Sequence, residues 1–178
     1  MVRLVIAAAA ALTLGSASSG IWLDVPYVKQ EPNGCGSAAI AMVAQYWARN
    51  GARVPPEAAD AGRIQKELYR RGQAGIRASD MERYLRAEGF RTFVFRGSWE
   101  DFKPRLSKGQ PLIVCLKETG AGSPLHYVVV VGFDWDQNLI LVNDPAQRKL
   151  LKISRSAFEK QWGGAQNWTL LAIPLQAQ

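Results

Sequence analysis

Histidine and cysteine are scarce in this chain of 178 residues, which has one of the first and two of the second. With His126 single and Cys35 and Cys115 far apart, no zinc-type ligand spacing exists, so neither a metal nor another cofactor is expected. A disulfide framework is excluded on similar grounds, because the only available pair would consume Cys35. No Gly-x-x-x-x-Gly-Lys-Ser/Thr loop occurs, so nucleotide-driven transport is not encoded in these residues. Past the first segment no apolar run approaches the roughly 20 residues of a spanning helix, so no stable membrane span is expected in the mature chain. Internal repeats and low-complexity linkers are absent too.

The first residues have a pattern of their own. Met1-Val2-Arg3 is positively charged, Leu4 to Leu14 is apolar apart from one Thr, and Gly15 to Ser19 are small. That order is the signature of a secretory signal peptide, with an uncleaved anchor or a mobile N-terminus as the alternatives. The expectation is a signal segment at 1–19, a mature start near Ser18–Gly20 and an exported, periplasmic or extracellular protein. Residues 20–178 then form a single domain, long enough for a real core.

Lysine plus arginine outnumber aspartate plus glutamate by 22 to 15, a net charge of +7. Much of the excess lies between Arg63 and Arg96, where acids such as Glu67, Asp80 and Glu82 interrupt it. This reads as solvated helix faces, and no nucleic acid is expected as a partner because no binding motif accompanies the charge.

What the chain does have is Gln30-Glu31-Pro32-Asn33-Gly34-Cys35-Gly36-Ser37-Ala38 followed by an Ala-, Ile-, Met- and Val-rich stretch. Ile40, Val43, Ala44 and Trp47 share one helical face, and Asn33 and Gly34 are turn and cap residues. The helix is therefore expected to begin at Cys35, where unpaired backbone N–H groups and the positive dipole end favour the nucleophilic thiolate. Cys115, inside the apolar run 111–116, reads instead as a buried core thiol.

Onward, a helical segment is expected from Pro55 to about Tyr69. A capping box at Ser79-Asp80-Met81-Glu82 is expected to open the next helix, which stops at Gly89. A short helix near Ser98–Ser107 contains Pro104, and another runs from Ser154 to Trp162. Strands are expected at 90–95, 112–116, 126–133, 139–143, 150–153 and 168–173. Helices first and strands later indicate an α+β fold, N-terminal helices on a largely antiparallel sheet.

A cysteine nucleophile needs a base that titrates near neutrality, and His126 has no competitor for that role. Asp134, Asp136 and Asp144 are candidates to orient its ring. The segment 134–138 has turn composition, so it closes a hairpin that returns residue 144 close to residue 128. Asp134 sits eight residues up the strand from His126, roughly 26 Å away at about 3.3 Å per residue, and cannot reach. Asp144 can, with Asn143 beside it; the other reading of Asp144-Pro145 is a strand-ending turn. Gln30 is placed to reach over Cys35 and hold an oxyanion, or else is an exposed polar residue before a turn.

Gln-x-x-x-x-Cys-Gly-x-Ala at Gln30–Ala38, His-Tyr-Val-Val-Val at His126 and Asn-Asp-Pro-Ala at Asn143 resemble the bacteriocin-processing (double-glycine) peptidase domain, within the papain-like cysteine peptidases. The resemblance spans nearly all of the mature chain and implies a papain-like fold and a peptide or protein substrate. It implies Cys35 as nucleophile, His126 as general base and acid, Asp144 as its orienting partner and Gln30 as oxyanion donor. The family often has an acid just before the cysteine, where this chain has Gly34. The expected activity is that of a stand-alone cysteine peptidase. The alternatives are an acyltransferase or cell-wall amidase using the same acyl-thioester, and a non-catalytic peptide-binding domain.

Overall fold

The computed structural model describes residues 20–118, 120 and 122–175; the expected signal segment at 1–19 lies outside them. Helix α1 (Cys35–Arg49) is followed by a 3-10 turn at Pro56–Ala59, α2 (Ala61–Leu68) and α3 (Ala78–Ala87). Then come strand β2 (Phe90–Arg96), α4 (Trp99–Leu106), β3 (Leu112–Lys117), β4 (Leu125–Asp134), β5 (Leu139–Asn143), β6 (Leu151–Ser154), α5 (Arg155–Gly164) and β7 (Trp168–Pro174). Strand β1 (Gly20–Trp22) precedes them all. The strands form one antiparallel sheet in the order β2-β7-β3-β4-β5-β6, with β1 on the far end of β4. The fold is α+β, as the sequence order of helices and strands implies.

Alternation along the central strands feeds two cores. Ile113, Cys115, Tyr127, Val129 and Val131 pack with α1, α2 and α3 on one face. Leu112, Val114, Leu116, Val128 and Val130 pack with Trp99, Phe102, Phe158 and Trp162 from α4 and α5 on the other. Burial on both faces is why these strands read as continuous apolar runs instead of an alternating pattern.

Helix α1 departs from the amphipathic expectation. Every residue from Cys35 to Ala44 is buried, because α2, α3 and the sheet enclose it on several sides. Glycine and alanine make that possible: a Cβ on Gly36 would meet Ile76 Cβ at 3.2 Å and Met81 Sδ at 3.4 Å. Gln45, the polar interruption, donates to the Ala59 carbonyl at 3.0 Å, satisfying the end of the 3-10 turn.

Three local expectations are corrected. The segment from Pro55 to Tyr69 is not one helix, because Asp60 leaves the helical region and its carboxylate caps α2 through the Arg63 N–H at 2.6 Å. No capping box forms at Ser79–Glu82: α3 starts at Ala78, behind Ile76, which is buried against the core, so Ser79 is already inside the helix. Glu82 pairs with Arg86 one turn on. A box does form at Ser98, whose N–H donates to the Asp101 carboxylate at 2.7 Å. Strand β1 was not expected, since three residues carry too little periodicity to signal a strand. It pairs with β4 beside Gly132, where a Cβ would lie 2.7 Å from the Ile21 carbonyl oxygen.

Candidate active site

Cys35 is the first residue of α1, entered through Asn33 at φ 59° and the cap residue Gly34. The turn is closed by the Gly34 N–H donating to the Glu31 carbonyl at 2.8 Å. A Cβ on Gly34 would sit 2.8 Å from that same carbonyl oxygen, so the acid common in the family at this place does not fit this turn without a backbone shift. Ser37 Oγ donates toward the Gly34 carbonyl and Gln65 Oε1, both at 2.9 Å. With these contacts the Cys35 side chain is held at a helix N-terminus, where backbone N–H groups are unpaired.

His126 lies near the start of β4, opposite Leu116 of β3. Its Nε2 is 2.8 Å from Asp144 Oδ1. An ionised carboxylate only accepts, so Nε2 carries the hydrogen and Nδ1 is left for Cys35. Asp144 follows β5, whose last residue, Asn143, pairs with Val129. A register irregularity between Val130 and Gly132 gives the hairpin its alignment and sets Asp144 beside residue 128. Asp134 stays at the hairpin turn, accepting from the Gln137 N–H at 3.0 Å, and takes no part in the site.

Burial raises the Cys35 thiol, but hydrogen bonding and charge from His126, with backbone groups of Tyr127 and Gly36, outweigh it and hold its pKa below the ordinary value. Burial lowers the imidazole, yet Asp144 and Cys35 push it up to about 9. Burial likewise raises Asp144, and His126, the Ala146 N–H and the Gln147 amide bring it below the usual carboxylate range. All three directions favour a thiolate–imidazolium pair backed by a carboxylate at neutral pH.

Sequence reasoning missed the residues that brace Asp144. Its Oδ1 also accepts from the Ala146 N–H at 2.9 Å, and its Oδ2 from Gln147 Nε2 at 2.8 Å. Asn143, fully buried, donates to the Val25 carbonyl and accepts from the Leu150 N–H, both at 3.0 Å. It thereby supports Leu150 at φ 55°, an unfavourable value for a leucine. The turn composition of Asp144-Pro145-Ala146-Gln147 was the available signal for Gln147. Nothing local in the sequence marked Asn143 as a clamp on a segment so distant in the chain.

Gln30 lines the same cavity as Cys35, His126 and Asp144, about 700 Å³ in volume. Its backbone N–H donates to the Pro145 carbonyl at 3.0 Å, and Tyr27 Oη donates to that carbonyl at 3.3 Å. The loop after Asp144 thus also sets the position of Gln30. Oε1 of Gln30 is shut off from solvent and unpartnered among the described residues, which leaves Nε2 as the end of the amide able to face the cleft.

Cys115 is a free, buried thiol paired in register with Tyr127, and burial pushes its pKa up to about 12. Iodoacetamide is therefore expected to label Cys35 at least about 100-fold faster than Cys115 at neutral pH. The Cys35 rate should fall on acidification as its thiolate is protonated. Peptide mapping after timed alkylation reads both rates, and equal labelling of the folded protein would contradict this assignment.

A cysteine at a helix terminus, set against a strand histidine on a sheet that follows the helices in sequence, is the architecture of the papain-like cysteine peptidases. Residues 22–169 match the model of the Peptidase C39 like family, and the chain belongs to that family. Among curated proteins no match is found. Solved structures agree on the fold. A C39-like peptidase from Bacillus anthracis is 20% identical with a TM-score of 0.61, over 86% of this chain and 97% of that one. A double-glycine motif protease from an AMS/PCAT transporter, solved with its leader peptide, is 24% identical with a TM-score of 0.60, over 86% and 94%. The peptidase domain of Streptococcus ComA, a bi-functional ABC transporter, is 22% identical with a TM-score of 0.63, over 83% and 97%. Among the described residues no helix is long and apolar enough to cross a membrane.

Proposed function

We propose that this chain is an exported cysteine peptidase that hydrolyses peptide bonds through Cys35, His126 and Asp144, with Gln30 as oxyanion donor. The observation that carries the reading is the coupling of the Cys35 thiol to an imidazole whose other nitrogen lies 2.8 Å from a buried aspartate. The thiolate of Cys35 attacks the scissile carbonyl, and the oxyanion is held by Gln30 Nε2 and the Cys35 backbone N–H. The His126 imidazolium gives its Nδ1 proton to the leaving amine as the C–N bond breaks, leaving an acyl-thioester. Water then attacks that ester, His126 takes the water proton, and the carboxylic acid leaves as the thiolate is restored. Asp144 keeps Nε2 protonated and stabilises the imidazolium throughout.

Resemblance to the family makes small residues, Gly or Ala, the first guess for the position before the cut; Ala74 and Leu125 line the cleft together with Cys35. Mass spectrometry of a peptide library with the mature protein, with and without added amine, tests the reaction class. Hydrolysed products are expected; dominant amine adducts would make the chain an acyltransferase, and no turnover by folded, reduced protein would leave only peptide binding.

Gln30→Ala is expected to lower kcat by about 10²–10³ while iodoacetamide labelling of Cys35 persists, because an oxyanion donor acts mainly in the transition state. Steady-state kinetics alongside alkylation rates check this. If labelling and turnover fall together, Gln30 acts through the thiol instead.

Export rests on the charged, apolar and small-residue order of the first segment, and a mature start at Ser18–Gly20 leaves β1 whole. Intact-mass measurement of protein recovered from the cell exterior or periplasm is expected to give that N-terminus. A secreted form still beginning at Met1 would overturn it.

A further inference from the structure

The cleft has a second compartment whose chemistry the proposed reaction does not use. A cavity of about 470 Å³ shares Cys35, Ala74 and Leu125 with the larger one, so the two adjoin at the nucleophile. The walls of the second are the segment 73–77 ahead of α3 and Ala78 at its start, together with Leu125 and Tyr127 of β4. Most of that lining is apolar, and apart from the Cys35 thiolate its one charged residue is Arg77. In the wall of the larger cavity Asp144 is paired with His126, and Glu118 adds a charge opposite to that of Arg77.

Two further observations concern the groups in the second cavity. Arg77 has no carboxylate within ion-pair distance among the described residues; Asp80, the acid nearest in sequence, is paired with Arg83 instead. Gln73 Oε1 is buried and unpartnered among the described residues, so the Nε2 end of its amide is the one able to face the cavity. An apolar pocket with a free guanidinium and an amide N–H, directly beside a nucleophile, is built to receive a carboxylate.

We propose that this second cavity is a specificity subsite for an acidic side chain of the peptide substrate, paired with Arg77 and hydrogen-bonded by Gln73. The inference rests on the peptidase reading for its substrate class but makes a separate claim about recognition. A peptide lying through the cleft places its Asp or Glu against Arg77, while the stretch on the other side of Cys35 passes Glu118. Like charges in either compartment repel, so the cleft selects both the composition and the direction of the bound segment.

The test uses labelled Gly/Ala decapeptides in which one Asp or one Lys is scanned through every position. Fluorescence anisotropy on the full chain carrying Cys35→Ala measures binding without turnover. One position is expected to favour Asp over Lys by about threefold to fivefold, a preference that shrinks as salt is raised. Arg77→Glu in the same background should invert the preference at that position, and Arg77→Gln should erase it. An unchanged Asp-to-Lys ratio in both variants overturns the proposal, as does the absence of any position preferring Asp or of any peptide binding. The same panel incubated with the unmutated protein keeps the two claims apart. Cleavage without an acidic preference leaves the peptidase standing and removes the subsite. An Arg77-dependent preference without cleavage keeps the subsite and removes the peptidase.

Discussion

Cys35→Ala is expected to reduce turnover on the order of 10⁶-fold and to abolish adduct formation with a peptide aldehyde or chloromethyl ketone. Among the described residues that line the site, Cys35 carries the one thiol, and no serine or threonine hydroxyl lines the cavity with it. Folding should survive, because a smaller side chain at the first helical position removes no hydrogen bond within α1. The packing around Gly36 and Ile76 that seats the helix is also untouched. Intact-mass spectrometry after incubation with the electrophile reads the adduct, and circular dichroism reads the fold. Persistent labelling at another residue, or residual turnover within a hundredfold of the original, would place the nucleophile elsewhere.

Asp144→Asn should cost about 10⁴ in kcat with the fold retained. An asparagine oxygen can keep accepting from the Ala146 N–H, now at 2.9 Å, while its NH2 replaces the oxygen that accepts from Gln147, whose amide must turn over to accept instead. It cannot keep the charge that pushes His126 up to about 9. Without that charge the imidazolium is less stable, the Cys35 thiolate loses its counter-ion, and the thiol pKa should rise toward the ordinary value. Alkylation of Cys35 at neutral pH should slow accordingly. Asp134→Asn and Asp136→Asn are the controls. Both belong to the hairpin turn at the other end of β4, and each should leave kcat within about twofold. A large loss in Asp136→Asn would mean that the histidine takes its charge from another carboxylate.

The spacing of charged and apolar residues carried the two helices nearest the site, the hairpin that returns Asp144 to His126 and the class of the fold. These are local patterns: a turn cluster between apolar strands sets where the chain reverses, and strand rise then decides which carboxylate can reach. Local capping was less legible. Ser79–Glu82 has the composition of a capping box and forms none, because burying Ile76 against Gly36 sets the chain into α3 before Ser79 is reached. Ser98–Asp101 forms one with the same chemistry, because there the serine itself stands at the N-cap of α4.

By itself the sequence determined which residues could do the chemistry. One histidine, one cysteine at a helix start and three candidate aspartates after the histidine leave few combinations, and reach along a strand narrows them further. Tertiary structure decided how those residues are held. The Asn143 contact with Val25, the Pro145 carbonyl that receives both Gln30 and Tyr27, and the cavity that sets residues 73–78 beside Cys35 and Leu125 join segments distant in the chain. Periodicity and turn composition report on neighbours within a few residues. A hydrogen bond across more than a hundred residues leaves no such trace, because only the packed sheet and helices bring its two ends together.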